Sequence, residues 1–126
     1  IMAIHPRTSN LMSDYKLNKK SFSNIKFILP QPYFDNISLL QHSNGLITDS
    51  GGMQKEAYWL NKVCVTIRKE TEWLETLKNG ANSLLFYELT DIEKFIKNKK
   101  IILDNNLYGN SNTSEKIILQ IKLSLA

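Results

Sequence analysis

The chain has 126 residues, 42% of them hydrophobic and 22% charged, with a formal net charge of +4. Such a length suits one domain, and the composition is typical of a soluble globular protein. No apolar run approaches the roughly 18 residues of a membrane span. The positive charge comes mostly from lysines scattered among acidic residues rather than gathered in a block. We therefore predict neither a nucleic acid nor a membrane as a partner.

The single cysteine, Cys64, lies in the apolar run Val63–Val65 and can form no internal disulfide. Such cysteine usage is typical of a reducing compartment, so the predicted location is cytoplasmic. The cysteine and the two histidines show no metal-ligand spacing, and we predict neither a metal nor another cofactor. The chain opens inside an apolar run, Ile1–Ile4, with no preceding turn, and we expect it to belong to a longer polypeptide.

Short apolar runs alternate with segments of helical period, the pattern of βα units around a parallel sheet. The predicted fold class is α/β, with one domain over residues 1–126. Strands are predicted at Ile1–Ile4, Ile25–Leu29, Gly45–Thr48, Val63–Ile67 and Ser83–Phe86. Helices are predicted at Asn10–Lys20, Tyr33–Ser43, Gly52–Leu60 and Glu72–Asn79.

Two further helices are predicted near the C-terminus. Gly80 should stop the helix before it, because glycine accepts the left-handed conformation at low cost. The segment Thr90–Glu93 has capping-box spacing and predicts a helix to Lys100, and Asn112–Glu115 repeats the signal before a closing helix to Leu125. One face of that closing helix is predicted to pack on the core. Its residues are Ile117, Ile118, Ile121 and Leu125.

The most specific motif is TDSGGMQKEA at Thr48–Ala57, which follows a predicted strand and leads into a helix. Such a turn exposes free amides at the positive end of the helix, and Gly51 and Gly52 let an anion approach the backbone closely. Ser50 adds a hydroxyl donor, and Glu56 could accept hydrogen bonds from ribose hydroxyls. The alternative is a capped turn without a ligand, because neither the dinucleotide glycine fingerprint nor the Walker pattern is present.

A second motif, Ile67–Glu75, follows the next predicted strand. Because parallel sheets gather ligands at the carboxyl ends of their strands, this loop should face the same crevice as the Asp49–Gly52 turn. Arg68 is one of only two arginines and suits bidentate binding of a phosphate or carboxylate. The alternative is a surface ion pair with Glu70 or Glu72.

A third motif, His5-Pro6-Arg7-Thr8, lies at the end of the first predicted strand. His5 could donate a hydrogen bond to an anionic or sugar ligand, and Arg7 could pair with a phosphate. The alternative for a lone histidine is a structural role.

Taken together, these motifs resemble the carboxyl-terminal part of UDP-N-acetylglucosamine 2-epimerases, in order and in spacing. The strings DSGGMQKEA and TEWLE are the most specific, and TEW and HPRT look most like members that act on UDP-diacetamido-uronates or related UDP-sugars of surface polysaccharides. The matching segments are Ile4–Thr8, Pro30–Tyr33, Leu39-Leu40, Thr48–Ala57, Arg68–Glu75, Asn79-Gly80 and Tyr108–Asn110.

The resemblance implies a GT-B-type fold of two Rossmann-like domains facing a cleft. This chain would be most of the second, UDP-binding domain, without the N-terminal catalytic domain. The Tyr33 segment would lie beside the uracil, although Asn36 stands where many relatives carry an aromatic residue. The implied substrate-binding residues are Ser50, Gly51 and Gly52 at the diphosphate, Glu56 at the ribose, and His5 and Arg68 toward the phosphate or sugar, with Arg7 and Glu72 as further substrate-binding residues.

The reaction implied is inversion at C2 of the sugar, through elimination of UDP to a glycal and its re-addition. The helix start and Arg68 would stabilise the charge that develops on the departing diphosphate. The proton-transfer groups would belong to the first domain, so we expect this chain to bind UDP weakly at best and not to epimerise alone. The resemblance also implies that the intact enzyme is a homodimeric isomerase.

Three alternatives stay open from the sequence. The same architecture serves as the nucleotide-sugar half of a GT-B glycosyltransferase, although the TEWLE string argues against it. A hydrolysing epimerase would release the free sugar. A free-standing nucleotide-binding module would carry no chemistry.

Overall fold

The computed structural model describes residues 1–78, 80–87, 89–90, 92–98, 101, 104, 107–109 and 111–125. Sequence predictions that fall on Asn79, Asp91, Lys100 and Asn110 lie outside the described residues. The chain divides into two compact units, Ile1–Leu39 and Leu40–Ala126. Among the described residues, no helix has both the length and the apolar character needed to cross a membrane.

The described part of the chain contains five strands, six α-helices and a short 3₁₀ turn. The elements are β1 (Met2–Ala3), α1 (Pro6–Asp14), a 3₁₀ turn (Lys19–Ser21), β2 (Phe27–Ile28), α2 (Tyr33–Gln41), β3 (Gly45–Thr48), α3 (Gly51–Trp59), β4 (Val63–Thr66), α4 (Leu74–Lys78), β5 (Asn82–Leu84), α5 (Ile92–Asn98) and α6 (Thr113–Ser124). All strand pairs are parallel. The predicted α/β class, with parallel sheets and flanking helices, is confirmed.

The first unit holds a two-stranded parallel sheet in which Met2 of β1 lies opposite Phe27 of β2. The predicted helix at Asn10–Lys20 is wrong in both bounds, because α1 runs from Pro6 to Asp14. Proline suits the first position of a helix, where its missing N–H needs no partner. Lys16 then takes a positive φ of 55°, which stops the helix before the predicted end.

The second unit holds a three-stranded parallel sheet with the order β3-β4-β5. All four residues of the central strand β4 are buried, which explains its nearly continuous apolar sequence. Helix α3 packs on this sheet, and Ala57, Cys64 and Leu40 form the centre of its core. Burial raises the pKa of the Cys64 thiol to about 11.

Two elements near β4 differ slightly from their predicted bounds. Helix α4 begins at Leu74, two residues later than predicted, and Gly80 follows it with a φ of +67°. The predicted glycine stop is confirmed, and the N–H of Gly80 bonds to the carbonyl of Leu77 at 3.0 Å. Strand β5 starts at Asn82, one residue earlier than predicted.

The C-terminal helices differ from three predictions about their side chains. Asn112 occupies the N-cap position of α6, but its side chain makes no capping hydrogen bond. The carboxylate of Glu93, expected in a capping box, pairs instead with Lys97 one turn later in α5. No residue of α6 is buried, so the prediction that one face packs on the core is wrong. The exposed fractions are 54% for Ile117 and Ile118, 52% for Ile121 and 82% for Leu125.

Candidate functional site

The turn before α3 has the geometry that its sequence predicts. Ser50 is the N-cap residue with extended backbone angles, and its hydroxyl oxygen accepts from the N–H of Met53 at 3.5 Å. The N–H of Ser50 itself donates to Oγ1 of Thr48 at 3.0 Å. Serine is a favoured N-cap because it bonds an amide that the helix leaves unpaired. The helix therefore begins at Gly51, directly after the carboxyl end of β3.

Gly51 and Gly52 differ in what surrounds them, and neither has a positive φ. A Cβ on Gly51 would overlap the carboxylate of Glu72 and lie 3.6 Å from the indole nitrogen of Trp73. A Cβ on Gly52 would meet no atom within 4 Å. Glycine at position 51 thus permits contact between two loops, whereas glycine at position 52 leaves the start of the helix open.

The loop after β4 carries Arg68 and lies against this turn through Glu72. Nη1 of Arg68 donates to Oε2 of Glu72 at 2.9 Å, with the two side chains 36% and 49% exposed. The ion pair that the sequence left as an alternative for Arg68 is therefore present, with Glu72 as its partner. A guanidinium has five N–H donors, so this pair does not use up its capacity. The expected proximity of the two loops is confirmed by the contact between Glu72 and Gly51.

Glu56 lies on α3, one turn after Gly52, so the two residues share a helix face. Its side chain is half-buried. It forms no hydrogen bond or ion pair with any part of the chain that the structure describes.

His5 and Arg7 belong to the first unit and are both exposed. Nδ1 of His5 accepts the backbone N–H of Arg7 at 3.2 Å, so His5 is the N-cap of α1. The structural role left open for His5 is therefore present. A neutral imidazole that accepts at Nδ1 carries its proton on Nε2, which can still donate to a ligand. The other six predicted site residues belong to the second unit.

Behind the two loops lies a buried polar cluster that sequence reasoning missed. The side-chain oxygen of Gln54 accepts from the hydroxyl of Thr71 at 2.6 Å and from the amide of Asn82 at 2.9 Å. Its side-chain nitrogen donates to the carbonyl of Ser50 at 3.4 Å. The hydroxyl of Thr71 in turn accepts the N–H of Trp73 at 3.1 Å. Gln54 is fully buried, and Thr71 is only 8% exposed.

Asn82 extends the same cluster into the sheet. Its side-chain oxygen accepts from the hydroxyl of Thr66 at 2.8 Å, and its nitrogen donates to the hydroxyl of Thr76 at 3.3 Å. The signal in the sequence was a polar Gln54 one turn before Ala57 and Tyr58, which face the core. A polar residue in a core-facing position needs a buried partner.

The side chain of Lys55, on α3, lies near two aromatic rings. The ammonium of Lys55 is 3.7 Å from the ring centre of Trp73 and 5.5 Å from that of Tyr108. The indole N–H of Trp73 is buried and has no hydrogen-bond partner among the described residues. Burial and the nearby Glu75 carboxylate raise the pKa of Tyr108 to about 12. Lys55 is thus a further cation near the two loops, and the sequence motifs did not single it out.

These features define an α/β domain with a helix start and an arginine-bearing loop at one edge of a parallel sheet. Its open helix start and its arginine loop meet at the carboxyl ends of parallel strands, where such folds hold ligands. Residues 1–122 match the family model described as UDP-N-acetylglucosamine 2-epimerase. The chain belongs to this family.

Two curated relatives show the range of similarity. The chain is 40% identical to a UDP-N-acetylglucosamine 2-epimerase homolog of Methanococcus maripaludis, over 94% of this chain and 34% of that protein. It is 36% identical to the UDP-2,3-diacetamido-2,3-dideoxy-D-glucuronate 2-epimerase of Pseudomonas aeruginosa, over 93% of this chain and 33% of that protein. The chain spans about a third of the length of the relatives it matches.

A solved structure shares the fold. The UDP-GlcNAc 2-epimerase of Methanocaldococcus jannaschii, in complex with UDP-GlcNAc and UDP, superposes with a TM-score of 0.81 and 35% sequence identity. The match covers 96% of this chain and 34% of that one.

Proposed function

We propose that this chain is the UDP-binding domain of a UDP-N-acetylglucosamine 2-epimerase. The intact enzyme would be an isomerase that inverts C2 of a UDP-N-acetyl-hexosamine. UDP would leave C1 as a proton is removed from C2, and UDP would then rebond to C1 as a proton returns to the opposite face of C2. The observation that carries the proposal is the meeting of the Ser50–Gly52 turn with the Arg68 loop. Family membership and the likeness to a structure holding UDP-GlcNAc and UDP support it.

The start of α3 supplies the binding energy for the diphosphate. The first amides of a helix have no partner within it, and the helix dipole places positive potential at the same end. Since a Cβ on Gly52 would meet nothing within 4 Å, a phosphate can approach this backbone from solvent. The diphosphate therefore binds at Gly51 and Gly52, with the Ser50 hydroxyl as a further donor.

Arg68 supplies the charge that the reaction requires. When UDP departs, negative charge grows on the diphosphate oxygen that leaves C1 of the sugar. A guanidinium held beside that oxygen stabilises the transition state more than the ground state, because the charge is greater there. Glu72 holds Arg68 next to Gly51 through one N–H, and the remaining donors are available to the phosphate.

The roles proposed for the remaining residues follow the resemblance. Glu56 accepts from the ribose hydroxyls, and its place one turn after Gly52 suits a ribose attached to the bound diphosphate. His5 and Arg7 serve the phosphate or sugar side. The proton-transfer groups come from a preceding catalytic domain, so this chain binds UDP but does not epimerise. The proposal includes a cytoplasmic location and a homodimeric intact enzyme.

A two-dimensional amide NMR titration with UDP tests the proposal, with ADP as the nucleotide control. We expect UDP to shift the amides of Ser50–Gly52, Glu56 and Arg68, and ADP to shift them less. A folded chain whose amides do not respond to UDP would contradict the proposed binding site. Turnover measured on the same sample should show no C2 inversion, and observed inversion would contradict the assignment of proton transfer to another domain.

Substitutions of two adjacent residues distinguish a specific contact of the Arg68 guanidinium from a general effect of net charge. Arg68→Ala removes the guanidinium, whereas Lys69→Ala removes the same charge from a neighbour that lies over the Phe86 ring. We expect Arg68→Ala to weaken UDP binding by about tenfold or more, the typical loss of a charge-assisted hydrogen bond. Lys69→Ala should change it by less than about threefold, as expected for a screened surface charge. Equal losses would contradict a specific contact to Arg68.

A further inference from the structure

We propose that Gln54 and Thr71 are positioning residues that hold the two proposed UDP-binding loops together as one unit. The loops are the Ser50–Gly52 turn, which begins α3, and the Arg68–Trp73 loop before α4. Neither side chain would touch the nucleotide. The inference rests on the proposed function for its ligand, but the coupling between the loops is a property of the free chain.

An unbroken path of hydrogen bonds joins the backbones of the two loops. It runs from the carbonyl of Ser50 to the side chain of Gln54, from there to the hydroxyl of Thr71, and then to the N–H of Trp73. Both ends are backbone groups of the proposed binding loops. The middle of the path is buried, so any relative motion of the loops would leave buried polar groups unpaired.

The energetics of a buried amide favour a positioning role for Gln54 over simple filling of the core. A buried amide that is hydrogen-bonded adds little net stability to the fold. A buried amide without a partner costs as much as a lost hydrogen bond. An apolar residue would fill the same space without that risk, as Ala57 does on the same face of α3. The amide of Gln54 instead meets donors from two other segments, Thr71 and Asn82. Such fully paired buried networks make a structure rigid.

The contact between Gly51 and Glu72 shows why the spacing of the loops matters. There is no room there for even a Cβ, so a small displacement of either loop would break the contact. Glu72 also holds Arg68. The Gln54–Thr71 bond therefore fixes the distance between the helix amides and the guanidinium that would grip the same diphosphate.

The first test uses the chain without ligand and compares Thr71→Val with Thr71→Ser. Valine keeps the shape of threonine and removes its hydroxyl, whereas serine keeps the hydroxyl. We expect Thr71→Val to shift the amides of Gly51–Met53, about 20 residues away in sequence, and Thr71→Ser to leave them close to their native positions. Ser43→Ala serves as the control, since the half-buried hydroxyl of Ser43 donates to the carbonyls of Leu40 in α2 and of Gly45 at the start of β3.

The second test measures UDP affinity in the same variants. Loss of the hydroxyl should weaken UDP binding by about tenfold, the equivalent of one buried hydrogen bond. Thr71→Ser and Ser43→Ala should bind UDP like the native chain. If the Thr71→Val variant leaves both the chemical shifts of the Gly51–Met53 amides and the UDP affinity unchanged, the inference is overturned. If the native chain binds no UDP, the proposed function fails, and the ligand-free shifts still decide whether the loops are coupled.

If Thr71→Val does not fold, amide hydrogen exchange of the native chain decides the question. Two loops held as one unit open together, so the N–H groups of Met53 and Trp73 should show similar protection. Each of these groups bonds a side-chain oxygen of its own loop. Protection factors that differ by more than about tenfold would overturn the inference, because they would show separate opening reactions.

Discussion

At the scale of single residues, Gly51 and Gly52 are neighbours with different surroundings. The first lies against Glu72, while the second faces open space. The sequence predicted both glycines as places for a close approach. It could not distinguish them, because the difference depends on a side chain from another loop.

Gly52→Ala should make the chain more stable and the proposed site weaker. Alanine restricts the unfolded chain and meets no atom in the fold, so the free energy of unfolding should rise by about 0.4–1 kcal/mol. The new methyl group would obstruct the diphosphate, so UDP affinity should fall. Urea denaturation and the UDP titration measure the two effects.

Gly51→Ala is the matched comparison for this variant. Its methyl group must displace the Glu72 carboxylate, so the gain in stability should be smaller than for Gly52→Ala. A Gly52→Ala chain less stable than the native one would contradict the open surroundings of that residue.

The buried thiol of Cys64 should make the folded chain less stable at alkaline pH. The unfolded thiol has the ordinary pKa of 9.0, and the folded one about 11. Between these values the unfolded chain has lost a proton that the folded chain keeps, so the free energy of unfolding falls as the pH rises. The loss over that range is on the order of 2–3 kcal/mol.

Urea denaturation between pH 9 and 11 measures this loss, and Cys64→Ala is the control. The variant should lose less stability over the same range, although Tyr108 adds a loss in the same direction at higher pH because its pKa is also raised. Identical pH profiles would show that the thiol makes no contribution.

At the scale of elements, local patterns predicted most helices and strands of the second unit. Strand β3 has its predicted bounds, and α3 starts within one residue of its prediction. Helix α1 was misplaced because Pro6 and the capping nitrogen of His5 start it earlier than its apolar residues indicate. The apolar face of α6 was predicted to be buried, yet periodicity alone cannot say whether a partner surface is present.

The packing of β3 against its neighbours predicts the effect of Gly45→Ala. A Cβ there would lie 2.9 Å from the carbonyl oxygen of Val63 and 3.3 Å from a methyl carbon of Ile96. A backbone atom cannot move aside cheaply, so the free energy of unfolding should fall by about 1–3 kcal/mol. Urea denaturation measures this loss of stability. The Gly52→Ala variant, measured in parallel, should instead have a higher free energy of unfolding than the native chain. A neutral Gly45→Ala would contradict the tight packing between β3 and β4.

At the scale of the whole molecule, the chain matches its relatives along nearly all of its own length but only a third of theirs. In the proposed function this chain contributes a binding site, and the groups that move protons belong to another domain. Its parts come from turns that follow successive strands of one sheet. That arrangement explains how a short chain can present both a helix start and an arginine to one ligand.

The sequence by itself determined the parallel α/β class, the strand-to-helix turn at Ser50 and the family. These features depend on apolar runs, capping residues and glycines within a few positions of one another. Only the tertiary structure decided that Glu72 contacts Gly51, that Gln54 bonds Thr71 and Asn82, and that α6 stays exposed. The partners of Gln54 are 17 and 28 residues away. Contacts across such distances follow from how the elements pack, and no local pattern encodes them.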